Sequence, residues 1–263
     1  MTMTNALREA VIAIARKAAD EILAVYDSEF AIEHKDDRSP LTAADLASHR
    51  CIVAGLQALT PDIPVLSEES KDLDIAARRQ WPTFWLVDPL DGTREFIKRN
   101  GEFTVNIALI EDGVATFGVI QQPVTGALWH GALGGAAFRR DGDADVAIRV
   151  RMPALAPLRI AASRSHRDER TQAVLDALPG SEVVGCGSSL KFCKIAEGGI
   201  DLYPRFGPTS EWDTAAGQAI LEAAGGAVLD PRGRPFRYNQ RESLLNGDFV
   251  ALGDITLRER LSA

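Results

Sequence analysis

The segment "TFWLVDPLDGTREF" (residues 83–96) ends an apolar run in two carboxylates set three positions apart around a proline. Phe84 to Val87 read as a strand emerging from the core, so Asp88 falls at the end of a sheet. Pro89 fixes φ and removes a backbone donor, which predicts that the strand's ladder stops there. Gly92 permits a sharp turn, and Thr93 can begin a helix whose free N–H groups attract an anion. Asp88, the Leu90 carbonyl and Asp91 could converge as hard oxygen ligands of the kind that suit Mg²⁺. An isolated D-P-x-D is far more commonly an Asp-Pro turn with the second acid capping a helix, and the segment alone leaves both readings open.

Two other acids bear on the choice. Glu68 in "VLSEES" also lies just past an apolar run, and Asp213 in "SEWDTAAGQAILEAAGG" reads as directly preceding a helix that ends at Gly225-Gly226. Taken alone, Asp213 is an ordinary N-cap. Asp45 in "LTAAD" is a first-turn helix acid favoured by the macrodipole, behind Thr42 as N-cap. Glu69 and most of "DLDIAARRQ" read as solvated, and Lys98 and Arg99 as part of a solvated loop from which one of them could face a pocket. Periodicity does not establish that Glu68, Asp88 and Asp213 meet in space.

The remaining pattern is mixed α and β. Residues 6–26 carry Leu7, Val11, Ile14, Ala18, Ile22 and Val25 near helical spacing, and a second helix runs from Thr42 to about Leu59. "EFTVNIALIEDGVATFGVIQQPVTGALWHGALGGAAF" reads as successive strands with glycine turns. After about residue 155 strands alternate with helices, "LRIAASRS", "RDERTQAVLDAL", a strand to Val184, "SSLKFCKIAEGG", "IDLYPRF" and "DTAAGQAILEAAGG". That alternation favours an α/β half, and the prolines near 155 suit a boundary between residues 1–155 and 156–263.

Charge and cysteines narrow the function. A net charge of -8 over 263 residues disfavours nonspecific nucleic-acid binding, because no cation excess faces the phosphate backbone. A small anionic ligand senses a local field and stays compatible with it. Cys51, Cys186 and Cys193 show no C-x-x-C spacing and cannot all pair, so a reducing cytosol with buried structural thiols is expected. The amino-terminal helix carries charges through its apolar positions, unlike a signal peptide, and no apolar run is long enough to span a bilayer. The histidines His34, His49 and His130 lack metal spacing and read as structural, and Trp81, Trp85, Trp129 and Trp212 as core.

The motifs "SPLTAAD", "PVLSEE", "VDPLDGTREFIKRNGEFTVNIALI", "GSSLKFC" and "LYPRFGPTSEWDTAAG" together resemble the lithium-sensitive, magnesium-dependent phosphomonoesterases of the inositol monophosphatase superfamily. Within it they are similar to the bacterial 3′(2′),5′-bisphosphate nucleotidases of sulfur assimilation, over nearly the whole chain. Many such sequences have Lys where this chain has Arg94, and the charge is retained. The resemblance implies a layered α/β/α/β/α sandwich of the inositol monophosphatase and fructose-1,6-bisphosphatase type. It implies one Mg²⁺ held by Glu68, Asp88 and the Leu90 carbonyl, and a second bridged through Asp88 and shared with Asp91 and Asp213. A third ion per site is left open. Asp45 and Thr93 become the pair that orients and deprotonates the attacking water, with Glu68 also counted as catalytic.

The substrate implied is adenosine 3′,5′-bisphosphate, hydrolysed to AMP and phosphate by water attacking in line between two ions. Glu68, Leu90, Asp91, Gly92, Thr93 and Asp213 would meet its scissile phosphate. Ser163, His166, Ser188, Ser189, Lys191 and Arg205 would surround the nucleotide and second phosphate, Lys191 as a point charge and Arg205 as a fork. Lys191 has a plainer reading as a solvated helix residue, Ser188 or Ser189 as an N-cap, and His166 as a cap in a turn. An inositol monophosphatase is the alternative, and a noncatalytic metal or nucleotide sensor would not need Asp45 beside Thr93. The location implied is the cytoplasm, with peripheral contact to the inner membrane and the oligomeric state left open.

Overall fold

The computed structural model describes residues 3–28, 32–34, 40–70, 75–162 and 169–261. Helix α1 (Asn5–Tyr26) starts where Thr4 Oγ1 accepts the Leu7 N–H at 3.2 Å, and it buries Val11, Ile12, Ala15, Ala18, Ala19 and Ile22 along one stripe. Strands β1 (Ile32–His34) and β2 (Pro40–Thr42) form a two-stranded antiparallel ladder before α2 (Ala43–Leu59). There follow β3 (Val65–Ser67), α3 (Ile75–Arg78), β4 (Thr83–Asp91), α4 (Thr93–Ile97), β5 (Thr104–Glu111), β6 (Val114–Gln121), β7 (Leu128–Ala132), β8 (Ala137–Asp141) and β9 (Ala144–Ile148).

Strands β3 to β9 lie side by side in chain order as a seven-stranded sheet, parallel at β3–β4 and antiparallel from β4 onward. The meander follows from tight turns. Asp112 and Gly113, both at positive φ (50° and 77°), join β5 to β6 in the two-residue hairpin geometry that Asp-Gly favours.

The second half supplies β10 (Arg159–Ala161), α5 (Glu169–Ala177), β11 (Glu182–Val184), α6 (Leu190–Ala196), β12 (Leu202–Arg205), α7 (Glu211–Ala223), β13 (Ala227–Leu229), β14 (Phe249–Leu252) and a closing 3₁₀ segment, Ile255–Leu261. Its five-stranded sheet runs β11-β10-β12-β14-β13, with the first three strands parallel and the last two joined antiparallel.

Period-two alternation decides what each face covers. Trp85 and Val87 of β4, with Val105, Ile107 and Leu109 of β5, pack beneath α1 and α2. Phe84, Leu86, Ala108 and Ile110 point the other way, into a core shared with α6, α7, Tyr203, Phe249 and Ala251. On the outer face of the second sheet, Ile160, Leu202 and Leu252 meet Leu178, Leu257 and the α5 residues Val174 and Leu175. The order of layers is therefore helix, sheet, helix, sheet, helix, and α7 lies in the middle layer.

Several expectations need correction. The ladder does not stop at Pro89: β4 continues to Asp91, and pairing resumes at Asp91↔Thr104 after an irregularity that begins past Asp88↔Asn106. A bulge absorbs the missing proline donor. Asp213 does not precede α7 but is its third residue, because Ser210 is the N-cap. Arg78, within a stretch read as mostly solvated, is 1% exposed and donates to Asn239 Oδ1 at 2.6 Å and to the Arg241 carbonyl at 3.0 Å. Arg99 is exposed, in keeping with a solvated loop, and it donates to the Tyr26 and Ser28 carbonyls at 2.6 and 2.9 Å and lies over the Tyr26 ring. Of the cysteines, Cys193 is buried as expected, whereas Cys51 and Cys186 are half-buried; all three are free. Trp85 and Trp129 are buried in the core, with Trp81 and Trp212 packed partly buried against it.

Helix α7 seats closely on β6 because Gly118 has no side chain. A methyl group there would lie 2.3 Å from the Ala216 carbonyl oxygen, which is backbone and cannot swing away. We expect Gly118→Ala to cost about 1–3 kcal/mol of stability, the usual penalty of overpacking. The urea midpoint should fall accordingly, and an unchanged midpoint would contradict this seating of α7.

Candidate metal centre and substrate cleft

The parallel register Ser67↔Val87 sets Glu68 beside Asp88, and the Glu68 N–H donates to the Val87 carbonyl at 3.1 Å. Past Asp88 the bulge turns the chain. The Leu90 N–H donates back to Asp88 Oδ1 at 3.0 Å, and Ser48 Oγ, from α2, donates to the Pro89 carbonyl at 2.7 Å. Gly92 then takes a left-handed conformation (φ 94°) and opens α4. Thr93 Oγ1 lies 3.3 Å from Asp45 Oδ1 and 3.4 Å from the Leu90 carbonyl. The other Asp45 oxygen, Oδ2, accepts the Thr42 N–H at 2.8 Å and the Thr42 hydroxyl at 2.6 Å in a capping box.

Helix α7 approaches from the opposite face of the sheet. Its Asp213 closes a second capping box, with Oδ2 accepting the Ser210 N–H at 2.8 Å. Asp88, Asp91 and Asp213 each offer a carboxylate oxygen, and these three atoms lie within 4.8 Å of one another. Glu68 is outside that tight group, although its charge acts on both Asp88 and Asp213. Asp91 is fixed by neighbours: its Oδ2 accepts the Ser189 N–H at 2.7 Å and Asn106 Nδ2 at 3.3 Å, and Ser189 Oγ lies 2.6 Å away. Asn106 also donates to Ser189 Oγ at 2.9 Å and accepts the Thr104 hydroxyl at 2.9 Å.

Burial holds the Asp88 carboxyl well above the usual carboxylate range, and the charges of Glu68, Asp91 and Asp213 push it further. Burial likewise pushes Asp213 up to about 8, with Asp91 the largest charge acting on it. Carboxylates gathered so closely repel one another, and the natural partner is a hard, small, multiply charged cation with oxygen preference. The donor set therefore fits a divalent ion such as Mg²⁺: carboxylates throughout, with the Leu90 carbonyl at the same bulge.

The cluster opens into a cleft of about 1310 Å³ whose walls include Asp91, Gly92, Ser188, Ser189, Lys191, Arg205 and Asp213. Arg94 and Lys98 also line it, Lys98 thus facing the pocket rather than open solvent alone. Ser188 sits at positive φ (42°), and its buried hydroxyl has no hydrogen-bond partner among the described residues. Lys191 Nζ donates to the Ser188 carbonyl at 2.6 Å and lies 5.2 Å from the Tyr203 ring centroid. Arg205 donates to the Pro208 carbonyl at 2.9 Å. Ser163 and His166 lie outside the described residues. His49 contacts Ser67 Oγ at 2.8 Å and His130 contacts Asp145 at 3.0 Å; burial lowers the basicity of both.

Three placements escaped the sequence reading. Ser48 and Asn106 brace the bulge and Asp91, and Ser189 faces Asp91 rather than open cleft. Asn106 did leave a signal: it is the lone amide in the apolar run "TVNIALI", on the face that alternation assigns to Asp88's partner.

The chain is similar in sequence and in fold to known proteins. The family model for the inositol monophosphatase family matches residues 3–257. The 3′(2′),5′-bisphosphate nucleotidase CysQ of Salmonella typhimurium is 51% identical over 92% of this chain and 97% of its own. The protein of that name from Escherichia coli strain K12 is 49% identical over 91% and 96%. Among solved structures, CysQ from Bacteroides thetaiotaomicron is 43% identical and superposes with a TM-score of 0.80, covering 93% of this chain and 96% of that one. An inositol monophosphatase of Thermotoga maritima, 21% identical, shares the fold with a TM-score of 0.79 over 98% and 96%. The chain belongs to the inositol monophosphatase family, a family of metal-dependent phosphatases.

Proposed function

We propose that this protein is a Mg²⁺-dependent 3′(2′),5′-bisphosphate nucleotidase that hydrolyses adenosine 3′,5′-bisphosphate to AMP and inorganic phosphate. The observation that carries the reading is the meeting of Asp88, Asp91 and Asp213 within 4.8 Å at the edge of a cleft large enough for a nucleotide. The relatives near half identity, named for this activity, supply the substrate class. All three cysteines are free, which suits a reducing cytoplasm, and no described helix is long and apolar enough to cross a membrane.

In this proposal Glu68, Asp88, Asp91, Asp213 and the Leu90 carbonyl would hold two divalent ions. Bound there, such ions neutralise phosphoryl charge and acidify water, as in other two-metal sites. The protein's own groups do the orienting. Asp45 cannot rotate, because Oδ2 is held by both donors of Thr42. Its other oxygen, Oδ1, accepts a hydrogen bond from the Thr93 hydroxyl, which turns a Thr93 lone pair toward an attacking water. As the water oxygen bonds to phosphorus, the bond to the 3′ oxygen breaks; one water proton ends on that oxygen and the other stays on phosphate. No serine or cysteine nucleophile is needed. Lys191, with two N–H donors left beyond the Ser188 carbonyl, and Arg205 would meet the second phosphate, with the Ser188 hydroxyl on the nucleotide. Lithium inhibition belongs to the same proposal and rests on family membership.

Phosphate release from adenosine 3′,5′-bisphosphate and from inositol 1-phosphate, each with and without Mg²⁺, tests the reading. Mg²⁺-dependent turnover that favours the nucleotide is expected, and faster turnover of inositol phosphate would overturn the substrate assignment. Asp91→Asn and Asp213→Asn should each lower turnover by about 100-fold or more while the protein stays folded, because even groups behind a metal ligand carry up to about that much. Near-native rates in both variants would remove them from the metal set. A pH dependence follows as well. The folded metal-free protein keeps a proton on Asp213 up to about 8, whereas the unfolded chain releases it near 3.8. Stability of the metal-free form therefore falls as pH rises through that window, and a bound cation reverses the loss. The Mg²⁺-induced rise in Tm should be larger at pH 8 than at pH 6; no rise at either pH would contradict cation binding.

A further inference from the structure

The stretch from Gly185 to Ser189 has no regular backbone structure, yet it is held at several points. The Gly187 N–H donates to Glu102 Oε2 at 2.8 Å. A methyl group on Gly187 would lie 2.7 Å from the Glu102 carbonyl oxygen and 2.9 Å from its Cβ, so Glu102 packs directly on this glycine. The same Glu102 carbonyl would lie 3.2 Å from a methyl group on Gly92, the residue that turns the chain beside Asp91. Glu102 is thus wedged between the glycine turn of the metal cluster and the glycine turn of the cleft wall. Its own N–H is fixed by Asn100 Oδ1 at 2.9 Å.

What this wedge holds is Ser188. Gly187 on one side is tied to Glu102, and Ser189 on the other is tied to Asp91. The Ser188 carbonyl is taken by Lys191, and its hydroxyl is left buried with no partner among the described residues. Two different anchors therefore set one loop. The Ser189 anchor fixes Asp91 of the acid cluster, and the Glu102 anchor fixes groups that line the cleft.

We infer that Glu102 is a positioning residue for nucleotide recognition: its carboxylate locks the Gly187–Ser188 turn against Gly92 and so sets the preference for a nucleotide over a simple phosphate ester. The inference rests on the bisphosphate nucleotidase reading. Loss of the carboxylate leaves the Gly187 amide without its acceptor and frees the turn, while the Ser189–Asp91 contact and the acid cluster stay in place. Recognition is then weakened and the phosphoryl step is not.

The test uses the full-length protein with Mg²⁺, adenosine 3′,5′-bisphosphate and p-nitrophenyl phosphate. Glu102→Ala should raise KM for the nucleotide about tenfold, the scale of a lost hydrogen bond to a charged acceptor, with kcat changed by less than about twofold. Its KM for p-nitrophenyl phosphate should change by less than about twofold. Glu102→Gln keeps a carbonyl acceptor for Gly187 and should restore most of the nucleotide KM. Gly187→Ala keeps the carboxylate but pushes the turn away, and it should reproduce the Glu102→Ala pattern even if that variant folds poorly. Equal losses on both substrates, a Gln variant as impaired as Ala, or no change in nucleotide KM would each overturn the inference. The wild-type protein reports separately on the underlying reading, which fails if the nucleotide is not hydrolysed.

Discussion

Mutual repulsion among clustered carboxylates, Asp88 buried and its neighbours half-buried, is the constraint around which this molecule is arranged. Asp88, Asp91 and Asp213 come from two layers of the sandwich and meet within 4.8 Å, with Glu68 adding its charge from the neighbouring strand. An arrangement of that kind persists only when the surrounding structure over-determines it. Here the bulge in β4, the Ser48 contact to Pro89, and the Asn106–Ser189 pair on Asp91 supply the restraint. A cation turns this cost into an attraction, which is why the acids are placed where no aliphatic side chain could relieve them.

Both helices that deliver acids to the centre do so through capping boxes. Asp45 spends Oδ2 on Thr42 and turns Oδ1 to Thr93; Asp213 spends Oδ2 on Ser210 and has its other oxygen left for the cluster. Capping and function are one geometry in these residues. The third position of a helix points the carboxylate back over the N-terminus, and both helices start at the rim of the site. A cap already ordered by its helix also needs no further side-chain entropy to bind an ion.

Much of this could be read from the sequence, for identifiable reasons. The strands of the first sheet announce themselves by apolar runs and the Asp112-Gly113 turn, and α1 by its helical stripe. Strand β9 did not, because nearly all its residues are exposed and no buried face imposes alternation. The continuation of β4 past Pro89 was misread since a bulge depends on the partner strand, which local pattern does not contain. The N-cap of α7 is Ser210, three residues before the Asp213 that the pattern suggests, because capping boxes offer two polar residues that both look like caps. Proximity of Glu68, Asp88 and Asp213 came from resemblance and never from spacing. The bracing by Ser48 and Asn106, and the burial of Arg78 against Asn239, are tertiary facts with only faint sequence traces.

The account stands or falls on where a divalent ion binds. Crystals soaked in Mn²⁺, with anomalous scattering collected at the manganese edge, locate it directly. The predicted result is density among Asp88, Asp91 and Asp213, with the Leu90 carbonyl and Glu68 completing the coordination. Manganese found only at surface carboxylates, with the cluster empty at saturating concentration, would contradict it.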